Sequence, residues 1–307
     1  MSGAVQPFLR VLPVFAVILV GHLGRRAGLL PAEFRIPANR LTYYVAVPCL
    51  IFLKISAAPF REVFRPDWIA AALCATAAVW AAALGLGRWM GLSAPTRATF
   101  AQASIHSNLG YIGLAVAYYG LGDPGLQAAG VFAAFFMLLN NFLSVLALSR
   151  AGTVRPSAAQ LLRRVALQPV ILGSLAGLAA SFFDLPLPAV LGDTLEILGS
   201  MGLPLALLLI GGELTLDALR NPVPVALIVG AKNLLLPALG AVLLGAAGAA
   251  GVERAAAVVL LGAPSATMTL VMGREMGGDP ALASAAITAS TLASAATLSL
   301  WLGWMGG

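Results

Sequence analysis

The chain has 307 residues, of which 60% are hydrophobic and only 10% charged, with a net charge of +6 and a mean hydropathy of +0.94. A soluble domain coats itself with roughly 25% charged residues, so this composition excludes one and predicts an all-α polytopic membrane protein. The basic excess does not indicate nucleic acid: the arginines cluster beside apolar segments, where they set topology, and lipid is the expected surrounding.

At roughly 20 apolar residues per span, the length allows about ten transmembrane helices. Span 1 is predicted over 11–23, starting near Phe8. Arg25 and Arg26 follow its apolar run instead of preceding it, which argues against a signal peptide. Span 2 covers 41–55 and carries Pro48, so a kink is expected. Span 3 is 68–86, span 4 is 99–119 and span 5 is 126–148. A basic connector with Arg150, Arg155, Arg163 and Arg164 follows, expected in part as an interfacial helix. Spans 6 to 8 are 169–183, 195–210 and 225–244; spans 9 and 10 are 255–272 and 281–304. Cys49 and Cys74 fall inside spans with no metal or disulfide spacing and read as buried small hydrophobes.

Two spans are interrupted. Ser104-Ile-His-Ser-Asn-Leu-Gly-Tyr-Ile-Gly113 places Asn108 and Gly110 mid-span, and Leu261-Gly-Ala-Pro-Ser-Ala-Thr-Met-Thr269 places Gly262 and Pro264 there. Broken backbone at bilayer depth persists only where it is buried in protein or lines a wet cavity. The two breaks are therefore expected to cross near the midplane and form a substrate site.

The breaks belong to an internal repeat. Gly122-Asp-Pro-Gly-Leu126 recurs as Gly278-Asp-Pro-Ala-Leu282, and Pro48, Pro66 and Asn108 match Pro204, Pro222 and Pro264, all at an offset of 156 residues. Two halves of five spans result: 1–148 and 168–307, joined by a connector over 149–167. An odd span count turns the second half upside down, and inverted repeats with paired broken helices mark secondary transporters. Twelve arginines fall in loops that are inside if both termini are outside, against five basic residues in the outside segments, which favours that orientation.

Each helix that resumes after a break begins with unpaired N–H groups and a positive dipole end. Two such ends meeting at mid-membrane make an anion site without a charged side chain. Donors are expected around Gly110–Ile112 and Ala266–Met268, with Asn108, Pro264, Ser265, Thr267 and Thr269 shaping the site. Lys232 lies deep in span 8, where a charge is a functional hypothesis by default. It reads as a counter-charge to the substrate or, alternatively, as a structural lysine on helix-end carbonyls. Asn140 and Asn141 offer amides in span 5. His106 and Gln102 are candidates for a proton or polar relay, and His22 reads as interfacial. Gly173-Ser-Leu-Ala-Gly177 suits close packing, internal or at a dimer face.

Enzyme readings fail on the residues. Gly120-Leu-Gly-Asp123 with Asp279 resembles an aspartyl dyad, but both aspartates precede Pro and start a helix. No Ser/His pair, metal cluster or nucleotide loop appears, so no cofactor is expected. Spans 3–5 and 8–10 lack central carboxylates, which argues against a cation substrate; Glu213 is the near exception. Sodium or proton stays open as a coupling ion.

The segment Ser107-Asn-Leu-Gly-Tyr-Ile-Gly113, the run from Ala263 to Pro280 and the Tyr44-Val-Ala-Val-Pro48 pattern are similar to signatures of the auxin efflux carrier family, whose plant branch is the PIN-FORMED carriers. The resemblance implies a scaffold of spans 1, 2, 6 and 7, a transport domain of spans 3–5 and 8–10, an elevator-like motion and a homodimer through the scaffold. It implies carboxylate substrates such as malate or malonate in bacterial members and auxin in the plant branch. Contacts there fall on positions matching Asn108, Asn140 and Asn141. The acid that the plant branch carries in span 3 has no counterpart within 69–76. The expectation is a carrier of a small organic anion in a bacterial cytoplasmic membrane. A sodium- or proton-coupled importer of the bile-acid-carrier type is the alternative.

Overall fold

The structure, a computed structural model, describes residues 5–151, 163, 167–215 and 222–305. Of the basic connector, Arg155 and Arg164 lie outside the described residues, as do Arg220 and the bulk of the expected interfacial helix. The described chain is helical throughout, apart from one isolated bridge between Ser107 and Ser265. The helices are α1 (Val5–Arg26), α2 (Ala32–Ser56), α3 (Pro66–Trp89), α4 (Ala94–Ala103), α5 (Leu109–Leu148), α6 (Pro169–Phe182), α7 (Ala189–Glu213), α8 (Pro222–Ala246), α9 (Gly251–Gly262), α10 (Met268–Glu275) and α11 (Pro280–Met305).

Seven of these are long and apolar enough to cross a membrane, namely α1, α2, α3, α5, α7, α8 and α11. The difference from the expected ten has a local cause. Expected spans 4 and 9 are cut by their breaks into short helices, and α6 has only 14 residues. Expected spans 4 and 5 also run together as the 40-residue α5. That helix is not straight: Gly122, at φ 74° and ψ −164°, interrupts it. A Cβ placed on Gly125 would lie 2.7 Å from the Ala117 carbonyl oxygen, whereas eight residues of a straight helix span about 12 Å. The chain therefore folds back on itself at Gly122. Only a residue free of Cβ adopts that left-handed φ readily.

Lipid supplies no hydrophobic drive between helices, so small residues that let backbones approach carry the packing. Gly21 of α1 abuts the Leu208 carbonyl of α7, and Gly211 of α7 abuts the Ile18 carbonyl of α1. Gly173 and Gly177 of α6 face Pro48, Phe52 and Ile55 of α2, which gives that glycine pair to internal packing. His22 is buried at the α1–α7 contact, with its backbone nitrogen against Gly211. Cys49 is half-buried and Cys74 lies on the outward face of α3, so neither is a fully buried hydrophobe.

Prolines shape two helices. Pro48 has no N–H for the carbonyl four residues back, and the strand of the helix before it widens into a π-helical turn at Thr42–Ala46. Pro237 does the same to α8, where the π-helical turn is Ala231–Leu235. The Asn233 carbonyl that Pro237 cannot pair with accepts the indole N–H of Trp301 at 2.9 Å.

Candidate functional site

α4 ends at Ala103 and the chain runs unwound through Ser104–Asn108 before helix resumes at Leu109. α9 ends at Gly262 and resumes as α10 at Met268. The unwound segments cross as a two-residue antiparallel bridge between Ser107 and Ser265. The Asn108 amide donates to the Pro264 carbonyl at 2.7 Å, and the Ala266 amide donates to the His106 carbonyl at 2.8 Å. Each break thus satisfies the other's backbone, which is the condition for non-helical chain at membrane depth. The crossing expected from the sequence is present.

The orphan groups of the broken helix ends find specific partners. Ser265 donates its hydroxyl to the Ala103 carbonyl at 2.7 Å, closing the end of α4. Its own amide donates to the Ser290 hydroxyl of α11 at 3.0 Å. Lys232 is fully buried and donates to the Leu261 carbonyl, closing the end of α9. Lys232 thus stands on a helix-end backbone carbonyl. The π-helical turn before Pro237 holds Lys232 and Asn233 on the buried face of α8 together. Asn233 donates to the Ser290 carbonyl at 3.0 Å and lies 3.3 Å from the Thr297 hydroxyl. Asn233 and Ser290 were not singled out by sequence reasoning. The signal was the position of Asn233 four residues before a mid-span proline, where a carbonyl must be freed.

The first break is built differently. Asn108 is buried, its backbone amide is in the bridge and its carbonyl accepts from Gly113 at 2.9 Å, but its side-chain amide makes no hydrogen bond. Gly113 brings the two crossing elements together: a Cβ there would meet the Leu260 side chain at 2.8 Å. Gly110 is half-buried and open instead; a Cβ would sit 3.5 Å from Met137 Cε and 3.9 Å from Val170. Tyr111 reaches out of the same turn to donate to Asn39 Oδ1 of α2 at 2.7 Å.

One face of α5 runs alongside. Met137 touches the Gly110 position, and its carbonyl accepts from Asn141 Nδ2 at 2.7 Å. Asn140 is buried with its Oδ1 unpartnered. One turn further, the Ser144 hydroxyl pairs with His106 Nδ1 at 3.0 Å. The structure thus sets the first break, through Gly110 and His106, against the stretch of α5 that carries Met137, Asn141 and Ser144. Pro264 and Ser265 are spent on the crossing itself. Thr267 is half-buried at the start of α10 and caps nothing with its side chain. Gln102 donates weakly to Met272 Sδ at 3.4 Å and leaves Oε1 unpartnered, as Thr269 leaves its hydroxyl oxygen.

The aspartates of the dyad-like motif are held apart by different partners. Asp123 forms an ion pair with Lys54 at 2.8 Å. Asp279 accepts from the Leu282 amide at 3.0 Å, capping the start of α11, and from the Thr96 hydroxyl at 3.0 Å. Asp279 does the helix-start work read from the sequence.

The model of a family described as membrane transport protein matches residues 8–151 and 144–302. A Rhizobium meliloti protein named "Putative malonate transporter" is 30% identical over 94% of this chain and 92% of its own length. An uncharacterized transporter of Methanocaldococcus jannaschii is 28% identical over 96% of this chain and 97% of its own. An uncharacterized transporter of Methanothermobacter thermautotrophicus is 28% identical, with 95% and 96% covered.

Proposed function

The chain belongs to the membrane transport protein family, which is the auxin efflux carrier family, and on that premise we propose that it is a secondary carrier of a small organic anion bearing a carboxylate. It is an integral membrane protein with seven apolar helices of spanning length. The reading comprises ten spans in two inverted halves, both termini outside a bacterial cytoplasmic membrane, and a dimer through the scaffold. The helix bounds support it. Ala32–Ser56 and Ala189–Glu213 have equal length and lie 157 residues apart, and Pro222–Ala246 begins 156 residues after Pro66–Trp89. Elevator-type movement would shift α3–α5 and α8–α11 against α1, α2, α6 and α7. Links across that boundary include Tyr111 to Asn39 and Lys54 to Asp123.

One observation carries the anion reading. The paired breaks set two helix starts beside the crossing, where Asn108 is 8% exposed and its side chain makes no hydrogen bond among the described residues. First-turn N–H groups attract negative charge by roughly 0.3–1 kcal/mol each end when exposed, and more when partly buried. An amide donor adds orientation without the charge that would trap the anion. Because the Rhizobium meliloti relative bears malonate in its name, malonate is the first substrate to test.

The purified protein in proteoliposomes should take up radiolabelled malonate, or another mono- or dicarboxylate of a thermal-shift panel, with saturable kinetics. If no carboxylate in the panel binds, the reading is overturned. A second reading, coupling to sodium, draws support from four buried oxygens without partners: Gln102 Oε1, Asn140 Oδ1, Asn233 Oδ1 and Thr269 Oγ1. Oxygens beside unwound helices suit a small hard cation. Uptake that follows a sodium gradient, and not a proton gradient, selects it.

A further inference from the structure

Away from the crossing, a cavity of about 330 Å³ opens where the end of α3, the start of α4 and the end of α5 meet. Arg88, Arg97 and Arg150 line it, one from each of the three elements, with Leu84, Ala94 and Ala98 among the apolar walls. Its size is at the lower end of small-molecule sites, roughly 300–1,000 Å³.

The charge in it is uncompensated. The two ion pairs among the described residues, Lys54 with Asp123 and Arg65 with Asp67, involve none of the three. Other arginines of the protein find acceptors: Arg25 donates to Leu214, Arg35 to Gly212 and Arg254 to Ala241, each to a carbonyl. Arg88, Arg97 and Arg150 have no hydrogen-bonded partner among the described residues. A topology signal requires arginines near helix ends; it does not require three of them to converge on one cavity and repel one another. Guanidinium groups fit phosphate oxygens in a planar, two-pronged manner. The walls add an apolar side, and the site lies at the ends of membrane-length helices, where headgroups lie.

We propose that this cavity is a binding site for a phosphate-bearing anion, with the three arginines on the phosphate and the alanine and leucine walls against what it is attached to. Basic pockets between membrane helices take anionic lipid headgroups in this way. The site is separate from the crossing and does not depend on the transport reading.

Native mass spectrometry of the full-length, delipidated protein tests it, titrating phosphatidylglycerol against phosphatidylcholine. One phosphatidylglycerol per chain should bind at least tenfold more tightly than phosphatidylcholine. Arg88→Ala/Arg97→Ala/Arg150→Ala should lose that tenfold, and the corresponding triple Lys variant should keep part of it. Inorganic phosphate distinguishes the source. Displacement of the lipid at millimolar phosphate identifies the free anion as a competent ligand, and failure to displace assigns the site to the lipid. Equal phosphatidylglycerol binding by wild type and triple variant overturns the proposal, as does equal binding of the two lipids by wild type. Should the triple variant aggregate, the single Arg150→Ala, at an exposed helix end, decides: about threefold weaker binding supports the site and unchanged binding overturns it.

Discussion

The two breaks cross and pair with each other, yet they are held in opposite ways. The second is sewn into its surroundings: Ser265 donates with its hydroxyl to Ala103 and with its amide to Ser290, while Lys232 closes the Leu261 carbonyl at the helix end behind it. The first is tied through its backbone, and its polar side chain is left free. Asn108 has an unpaired amide, and Gly110 leaves room beside Met137 and Val170. A rigid partner with spent hydrogen bonds cannot discriminate among ligands, because it has no donor to offer. The open one can. On the proposed reading, rigidity resides in 264–266 and selectivity in 104–110.

Substitutions can break this division of labour. The largest effect is expected for Asn108→Ala on ligand affinity. Losing a hydrogen bond to a charged carboxylate costs about 1.5–3 kcal/mol, or roughly 10- to 150-fold in dissociation constant. Thermal unfolding of the unliganded variant should stay close to wild type, since no folded-state partner is lost; a large drop in melting temperature with unchanged affinity would reverse the assignment.

Lys232→Met comes next, and in the opposite column. It leaves the buried Leu261 carbonyl without its donor, a loss of about 1–3 kcal/mol of stability, read as a fall in melting temperature in detergent. If affinity for the anion collapses while melting is unchanged, the lysine balances substrate charge after all. Ser265→Ala should cost about 1 kcal/mol through the Ala103 carbonyl and leave affinity within about twofold of wild type. Equilibrium binding to the purified variant checks it; a tenfold loss would place Ser265 on the ligand.

The smallest effect is expected at the rim. Lys54 and Asp123 are partly exposed, with side-chain exposures of 24% and 52%, and such pairs are worth less than about 1 kcal/mol. Lys54→Ala should leave melting nearly unchanged and alter the transport rate in proteoliposomes, because the pair joins α2 to the turn within α5. A destabilisation well above 1 kcal/mol would show that the pair holds the fold and not a movable contact.

The sequence made the positions of the breaks legible for a simple reason. Asn, Gly and Pro in the middle of apolar runs are local departures from helix preference, and they show without any knowledge of neighbours. Gly122-Asp-Pro and Gly278-Asp-Pro were legible as helix starts for the same reason, and Asp279 caps α11 as that pattern requires. The burial of His22 was not legible because it depends on Gly211, nearly 190 residues away. Asn233 went unnoticed because an asparagine beside a lysine looks like part of one polar pair. Its significance lies in the π-helical turn that Pro237 imposes and in the arrival of Trp301 and Ser290.

The sequence by itself determined that the chain is a membrane protein, where its apolar segments lie, where two of them break and that the breaks recur at one spacing. Those are properties of composition and of local backbone preference, and they need no partner. The tertiary structure alone decided which donor closes which helix end: Ser265 on Ala103 and Lys232 on Leu261, with the Asn108 side chain capping nothing. Hydrogen bonds form between groups brought within about 3 Å, and only tertiary packing brings these groups that close, across 162 residues for Ser265 and Ala103 and 29 for Lys232 and Leu261.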